Sequence, residues 1–201
     1  MARRTTRPVT RITVGEQFPD LRLTAITGDG VVVPDPDRAL THLQFRRFAG
    51  CPICNLHLAS ISARLDDITA AGIREVVVFH STPAELSKYQ DGMPFAVIGD
   101  PDKALYRRFG VEASAKAVLK PGAWRALPGG YGHAVRTAVT KRRGLLPVHP
   151  TNGNLGLPAD LLIGADGRVV AVKYGQHAYD QWSVDELLAA AQNATQGGET
   201  A

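Results

Sequence analysis

The chain has 201 residues, of which 44% are hydrophobic and 21% are charged. This length suits one elaborated domain, and the composition excludes disordered, collagen-like and membrane-spanning classes of protein. The formal net charge of +4 conceals a basic segment, residues 103–143, which contains ten Lys or Arg residues and one acidic residue. Such a segment can attract an anionic partner or surface, although most charge runs are solvated faces.

The amino terminus is basic, and residues 1–11 are predicted to be flexible. No unbroken apolar stretch with a small-residue cleavage site follows them, and no run is long enough to span a bilayer. The sequence therefore predicts a cytoplasmic protein without a transmembrane segment. In the reducing cytosol, two cysteines separated by two residues indicate redox or metal chemistry rather than a structural disulfide.

The first half of the chain predicts an accessory strand or hairpin, followed by a strand, a helix and a second strand. Residues 12–26 alternate apolar and polar side chains, and a Gly-Asp-Gly turn precedes the apolar residues 31–33. Residues 39–48 have the length of a core strand. Residues 51–71 carry apolar side chains at helical spacing and end before Gly72. The run at residues 76–79 is typical of a strand buried on both faces.

The second half of the chain predicts two more helices, a strand, an insertion and a closing hairpin. Thr82 and Pro83 favour the start of a helix, and residues 95–98 are predicted to form a strand. Asp100-Pro101 is predicted to open a further helix that ends at Gly110. Prolines and weak periodicity predict an insertion over residues 112–157. Residues 159–163 and 169–174 flank an Asp-Gly turn, which indicates a β-hairpin. A last helix begins at Ser183, and the tail 195–201 is predicted to be disordered.

This order of elements predicts an α/β fold with a mixed central sheet flanked by helices. The domain spans residues 12–194, with an N-terminal strand extension before the core. The insertion precedes the C-terminal hairpin.

The motif Cys51-Pro52-Ile53-Cys54 lies where the first core strand leads into the first long helix. A thiolate at a helix amino terminus is stabilised by unpaired backbone N–H groups and by the helix dipole. Pro52 suits the first helical position, and the three-residue offset brings the two sulfurs close enough for a disulfide. Arg46 and Arg47 precede the motif, but strand alternation sends them to opposite faces, so at most one can lower a thiol pKa.

The motif predicts a dithiol cycle in which one thiolate attacks a disulfide or peroxide and the second thiol closes a disulfide. The alternatives are an inert buried pair, a redox sensor, or a metal site that includes His57. A structural zinc site needs four ligands and no second cysteine pair exists, so neither a metal nor a cofactor is predicted. His57 is a candidate proton shuttle, and His80 and His177 are weaker candidates for lining the site.

Five segments resemble the peroxiredoxin-like branch of the alkyl hydroperoxide reductase and thiol-specific antioxidant (AhpC/TSA) family, within the thioredoxin superfamily. The segments are GEQFPDLRL (15–23), FRRFAGCPIC (45–54), DPDKALYRRFG (100–110), GLPADLLI (156–163) and YGQHAYD (174–180). The resemblance implies a thioredoxin-like fold and a thiol oxidoreductase that reduces hydroperoxides or protein disulfides. It also implies an external thiol reductant, such as a thioredoxin or glutaredoxin system, and places the family's cis-proline, which receives substrate backbone beside the dithiol, at Pro158.

The sequence departs from the family pattern at one position that affects the order of attack. Typical peroxiredoxins have a threonine three residues before the peroxide-attacking cysteine, and here Cys51 stands at that place relative to Cys54. That alignment makes Cys54 the attacking thiol. In thioredoxins the first cysteine of the motif attacks, which here would be Cys51, and the sequence leaves both assignments open. The alternative function is a non-catalytic redox-sensing or interaction module whose basic insertion binds an acidic partner or surface. No nucleic acid partner is expected, and a homodimer is left open.

Overall fold

The computed structural model describes residues 11–111 and 156–198. Residues 1–10, 112–155 and 199–201 lie outside this part. Nearly all of the predicted insertion, its basic side chains from residue 116 onward, and most of the predicted flexible amino terminus therefore fall outside the described residues.

The strands form one hairpin and one five-stranded sheet. The strands in chain order are β1 (Leu21–Thr24), β2 (Gly30–Val33), β3 (Leu40–Arg46), β4 (Ile73–Phe79), β5 (Ala96–Gly99), β6 (Ala159–Gly164) and β7 (Val169–Tyr174). β1 and β2 pair antiparallel, and the large sheet has the order β5-β4-β3-β6-β7. β3, β4 and β5 are parallel, whereas β6 and β7 run antiparallel to their neighbours. The predicted mixed sheet and closing hairpin are confirmed, and the amino-terminal element predicted as an accessory strand or hairpin is a hairpin.

Five helices accompany these strands within the described residues: α1 (Pro52–Ala63), α2 (Leu65–Ala70), α3 (Pro83–Gln90), α4 (Ala104–Arg108) and α5 (Val184–Gly198). The segment predicted as one helix over residues 51–71 is two, because Arg64 leaves the helical conformation at φ −121° and ψ 25°. Gly72, with φ +73°, follows the second of them in the left-handed conformation that glycine adopts without strain.

The large sheet is covered on both faces. One face, which includes Leu43 and Phe45, packs against the β1–β2 hairpin and α4 in a cluster with Phe18 and Tyr106. The opposite face packs against α1, α2, α3 and α5. β3 is consequently buried at every position, although its sequence alternates apolar and polar residues.

Two predicted helix boundaries require correction. α4 begins at Ala104 rather than at Asp100, because the Asp100 carboxylate accepts hydrogen bonds from the N–H groups of Ala104, Leu105 and Tyr106 and so lies before the helix. The tail predicted to be disordered from Thr195 is helical as far as Gly198. The Thr195 hydroxyl hydrogen bonds the Gln192 carbonyl at 2.9 Å, so the last turn is bonded to the one before it.

No helix in the described part of the chain has both the length and the apolar character that crossing a bilayer requires.

Candidate active site

The two cysteines lie at the carboxyl end of β3, where the parallel strands of the sheet also end. The connection from β3 to α1 turns through Gly50, with φ +75°. It is fixed to the segment after β4 because the Ala49 N–H donates to Ser81 Oγ at 3.0 Å and the His80 N–H donates to the Arg47 carbonyl at 3.1 Å. The carboxyl edge of parallel strands is where α/β proteins place their ligand sites.

Cys51 is the N-cap residue of α1, and Pro52 is its first helical residue. The Cys51 Sγ accepts the backbone N–H of Cys54 at 3.5 Å and lies 3.8 Å from Arg47 Nη1. Burial raises the pKa of Cys51, but the hydrogen bond from the Cys54 thiol, the Arg47 charge and the helix N–H groups outweigh burial and lower the pKa to about 6. The geometry thus favours a thiolate at Cys51.

Cys54 has the opposite electrostatic character. Burial and the neighbouring Cys51 sulfur, which accepts its hydrogen bond and repels a second negative charge, raise the pKa of Cys54 well above its usual range. Both sulfurs are free thiols in this structure. One thiolate and one thiol one turn apart form the pair that a dithiol cycle requires.

The dithiol is enclosed by apolar side chains. Cys51 is 0% exposed and Cys54 is 1% exposed, and they share a cluster with Phe48, Phe79 and Ala178. Ala178 belongs to the segment after β7, so three different parts of the chain surround the sulfurs. The pair therefore lies beneath the surface of the described structure.

The two arginines before the motif diverge. Arg47 faces Cys51, whereas the fully buried Arg46 points into the layer between the sheet and α1. Arg46 Nη2 contacts Asp160 Oδ1 at 2.5 Å, Gln44 Oε1 at 2.6 Å and His57 Nε2 at 3.0 Å. Among the two candidates, the geometry therefore assigns the thiolate contact to Arg47.

The contacts of Arg46 continue into a network of buried charges on β3, β4 and β6. His42 Nε2 lies 3.1 Å from Asp160 Oδ1, and His42 Nδ1 lies 3.0 Å from both carboxylate oxygens of Glu75. The side chains of His42, Arg46, Glu75 and Asp160 are all 0% exposed. We call these four residues the buried charge network.

His57 borders this network on α1. Because an arginine can only donate, His57 Nε2 is the acceptor of the Arg46 contact, and the ring is neutral with its proton on Nδ1. Burial and the Arg46 charge lower the pKa of His57 well below its usual range. In this arrangement the acceptor nitrogen is occupied, which favours an anchoring role for His57 over the predicted proton shuttle.

His80 lies beside Arg47, and its ring contacts those of Phe48 and Tyr106. Burial, and the charges of Lys103 and Arg47, lower the pKa of His80 to about 4, so the ring is neutral near pH 7. His177 lies in the segment after β7, and its Nδ1 accepts the Tyr179 N–H at 3.3 Å.

The expectation of a cis-proline at Pro158 is wrong. Among the described residues the one cis peptide bond joins Val33 to Pro34, so the bond before Pro158 is trans. The trans isomer is the default for X-Pro bonds, and no local sequence signal distinguishes the two isomers. Pro158 is buried at the start of β6, where its carbonyl accepts the Gly175 N–H at 2.9 Å.

Sequence reasoning missed four residues beneath α1: His42, Gln44, Glu75 and Asp160. A signal for two of them, His42 and Gln44, existed in the polar residues at alternate positions of β3, which continue as far as Arg46. This pattern is typical of a strand with one solvated face, and a solvated face would need no partners.

A cavity of about 260 Å³ lies away from the dithiol. Arg38, Arg74 and Phe95 are among the residues that line it, at the amino ends of β4 and β5. Since the cysteines lie at the carboxyl end of β3, which is parallel to these strands, the cavity belongs to the opposite edge of the sheet.

A family model described as AhpC/TSA antioxidant enzyme matches residues 60–177, which is more than half of the chain. The chain belongs to the AhpC/TSA family. This confirms the resemblance found in the sequence. The matched region begins after both cysteines, so the roles of Cys51 and Cys54 depend on their own geometry. No curated protein sequence matches the chain.

Solved structures of other proteins share the fold of this chain. Peroxidoxin BcpB from Mycobacterium tuberculosis is 16% identical with a TM-score of 0.63, over 91% of this chain and 98% of that one. Peroxiredoxin 6 of Arenicola marina is 15% identical with a TM-score of 0.66, over 94% and 76%. A protein described as a candidate thiol:disulfide interchange protein DsbE, from Chlorobium tepidum, is 19% identical with a TM-score of 0.56, over 90% and 99%. These likenesses establish a thioredoxin-like peroxiredoxin fold.

Proposed function

We propose that this AhpC/TSA-family protein is a thiol peroxidase in which Cys51 attacks a hydroperoxide and Cys54 resolves the product. Family membership supports thiol oxidoreductase activity in general. The observation that carries the finer assignment is the position of Cys51, which caps α1 and contacts Arg47 while the pKa of Cys54 is raised. The order of attack is thus the thioredoxin order rather than that of the family alignment.

The cycle balances in two steps. The Cys51 thiolate attacks the terminal peroxide oxygen, the O–O bond breaks, and after one proton is taken up the products are an alcohol and the Cys51 sulfenic acid. The Cys54 thiol then attacks the Cys51 sulfur, which forms the Cys51–Cys54 disulfide and releases water. An external dithiol, for which a thioredoxin or glutaredoxin system is the candidate, reduces the disulfide by exchange.

Arg47 and the amino end of α1 would hold the oxidant and its developing charge. The Arg47 guanidinium lies beside the sulfur, and the Cys54 N–H already points at it. Positive groups in a low-dielectric site stabilise the negative charge that the departing oxygen acquires. Arg47 therefore lies where it can stabilise this charge, although no threonine stands beside Cys51.

The enclosure of the dithiol favours a small oxidant over a protein disulfide. Both sulfurs are almost fully buried, and a hydroperoxide needs a smaller opening of the surrounding side chains than a polypeptide does, so the wider opening that an external protein dithiol requires is needed only when the disulfide is reduced. We propose a cytoplasmic setting, which the sequence predicted and in which thiol reductants are abundant.

Single-serine variants test this assignment. At micromolar hydroperoxide, wild type should lose both free thiols and Cys54→Ser should accumulate a sulfenic acid at Cys51, seen by mass spectrometry as one added oxygen atom. Cys51→Ser should keep its remaining thiol. If Cys54 is oxidised in Cys51→Ser as fast as Cys51 is in Cys54→Ser, the proposed order is wrong. If no variant reacts, the peroxidase function is wrong.

A second candidate function is the reduction of protein disulfides, which a CxxC motif at a helix amino terminus also suits. Reduction of insulin disulfides by dithiothreitol, followed by turbidity, separates the two. The peroxidase proposal predicts no acceleration over a blank that contains Cys51→Ser in place of wild type. Acceleration that wild type shows and Cys51→Ser lacks would favour the disulfide reductase.

A further inference from the structure

The buried charge network lies directly below the helix that carries the dithiol. Asp160 is its centre, because one oxygen contacts Arg46 at 2.5 Å and His42 at 3.1 Å while the other accepts the Trp182 N–H at 3.3 Å. Two cations and two carboxylates balance when His42 is protonated. An unpaired charge at this depth costs folding free energy. Loss of one member of the network must therefore be offset by a change of charge at another member, or it changes the electrostatic potential at neighbouring groups.

The two cations of the network differ in how they can respond. His42 can release its proton if a carboxylate is lost, whereas Arg46 stays charged at any ordinary pH. Among the described residues, Glu75 contacts His42 and Gln44 but not Arg46, whereas Asp160 contacts both cations. If the Glu75 charge is lost, His42 can therefore release its proton and restore the charge balance. If the Asp160 charge is lost, Arg46 is left without a counter-ion.

Arg46 is also the network member that contacts α1. Its Nη2 donates to His57 Nε2, one turn beyond Cys54 on the same buried side of the helix. Its Nε is buried without a hydrogen-bond partner among the described residues, so Asp160 is the main group that neutralises this guanidinium. A positive charge beneath α1 favours the thiolate form, and hence the reduced form, of a dithiol at that helix.

We propose that Asp160 is a positioning residue for the redox site, which neutralises Arg46 beneath α1 and thereby keeps the Cys51–Cys54 disulfide stable. This inference rests on the proposed dithiol cycle. Without the Asp160 charge, the uncompensated Arg46 favours the reduced dithiol, and the protein becomes a stronger oxidant.

The test measures the thiol–disulfide equilibrium of the full-length protein in glutathione buffers of graded ratio, with the two forms separated by mass. Asp160→Asn should lower the equilibrium constant for disulfide formation about tenfold, which is about 30 mV for a two-electron couple. Glu75→Gln is the matched control, since it removes an equally buried carboxylate from the same network and should leave the constant within about twofold of wild type. Circular dichroism checks that each variant is folded.

A double variant keeps the test informative if Asp160→Asn is poorly folded. Arg46→Met with Asp160→Asn restores the charge balance and should return the equilibrium constant to near the wild-type value. Equal constants in wild type, Asp160→Asn and Glu75→Gln, or equal shifts in both single variants, would overturn the inference and leave the dithiol cycle intact. A wild type that forms no Cys51–Cys54 disulfide in any buffer would overturn the proposed function and this inference together.

Discussion

Cys51 and Cys54 have the same chemistry and are made different by their places on one helix turn. Cys51 precedes the helix, where its sulfur accepts an N–H and faces Arg47, whereas Cys54 lies within the first turn and donates to Cys51. Burial raises and Arg47 lowers the pKa of both sulfurs, so the difference arises chiefly from the hydrogen bond that Cys54 donates to Cys51 and from the charge on Cys51. The division into attacking and resolving thiols follows from this asymmetry.

Replacement of Arg47 by Met should raise the pKa of Cys51 and slow its reactions near neutral pH. In wild type the rate of iodoacetamide alkylation of Cys51 should rise through a midpoint near pH 6 and level off above pH 7. Loss of an opposite charge at this distance moves such a midpoint up by about one unit. The measurement is the alkylation rate from pH 5 to 9, with alkylation at Cys51 distinguished from alkylation at Cys54 by mass spectrometry of peptides.

Arg22→Met is the control for this change, because Arg22 is an exposed residue of β1. It should leave the profile of Cys51 at the wild-type midpoint. An unchanged midpoint in Arg47→Met would show that the hydrogen bonds at the helix terminus, rather than the arginine, set the pKa.

At the scale of single elements, α3 supports the dithiol from the side. Leu86 of α3 belongs to the cluster around the sulfurs, and Gln90 donates to Asn55 Oδ1 of α1 at 2.6 Å. α3 begins with a capping box, in which Thr82 accepts the Glu85 N–H and the Glu85 carboxylate accepts the Thr82 N–H. Two backbone donors that a helix leaves unpaired are thereby satisfied.

Thr82→Ala should lower the free energy of unfolding by about 1 kcal/mol, the usual cost of losing an N-cap side chain. Urea unfolding of the reduced protein gives this value. Ser87→Ala on the exposed side of the same helix is the control, and its effect should stay within about 0.5 kcal/mol. An equal loss in both variants would mean that the box adds nothing beyond general helix propensity.

β3 and its connection to α1 show which parts of the site a sequence can predict. The dithiol was predictable because the strand end, the turn and the helix N-cap are adjacent in the chain, and Pro52 marks the first helical residue. The partners of β3 were not, since His42 meets Asp160 across 118 positions of sequence. Local alternation in LTHLQFR favours a solvated face, and only the packing of α1 and α5 on the sheet shows that this face is buried.

For the molecule as a whole, the order of elements predicted the mixed sheet. Two details were predicted wrongly, namely the isomer of the bond before Pro158 and the end of α5. The cis bond expected before Pro158 was carried over from the family resemblance, and the trans bond found there is the default isomer of an X-Pro bond. The helical end of α5 depends on packing of Leu187 and Ala191 against the sheet. The end of α5 is therefore a tertiary effect that overrides local propensity.

The buried charge network should also make the stability of the whole molecule depend on pH. Burial alone would lower the pKa of His42, but the Glu75 and Asp160 carboxylates outweigh burial and raise the pKa from 6.5 to about 9. A group whose pKa is raised on folding stabilises the protein fully below its unfolded pKa and loses that contribution as pH rises through its folded pKa. Cys51 acts in the opposite direction. Because its pKa is lowered on folding, its contribution to the free energy of unfolding grows as the pH rises from about 6 to about 9 and stays constant above that.

Removal of Cys51 should therefore isolate the histidine. In Cys51→Ser, the free energy of unfolding should fall by up to about 3 kcal/mol between pH 6.5 and pH 9.5, measured by urea titration at constant ionic strength. In Cys51→Ser with His42→Gln this fall should vanish, because the amide does not titrate. With His177→Gln instead, the fall should persist. If the double variant with His42→Gln loses as much stability over this range as Cys51→Ser alone, the pH dependence arises elsewhere and His42 is not the cation that balances Glu75 and Asp160.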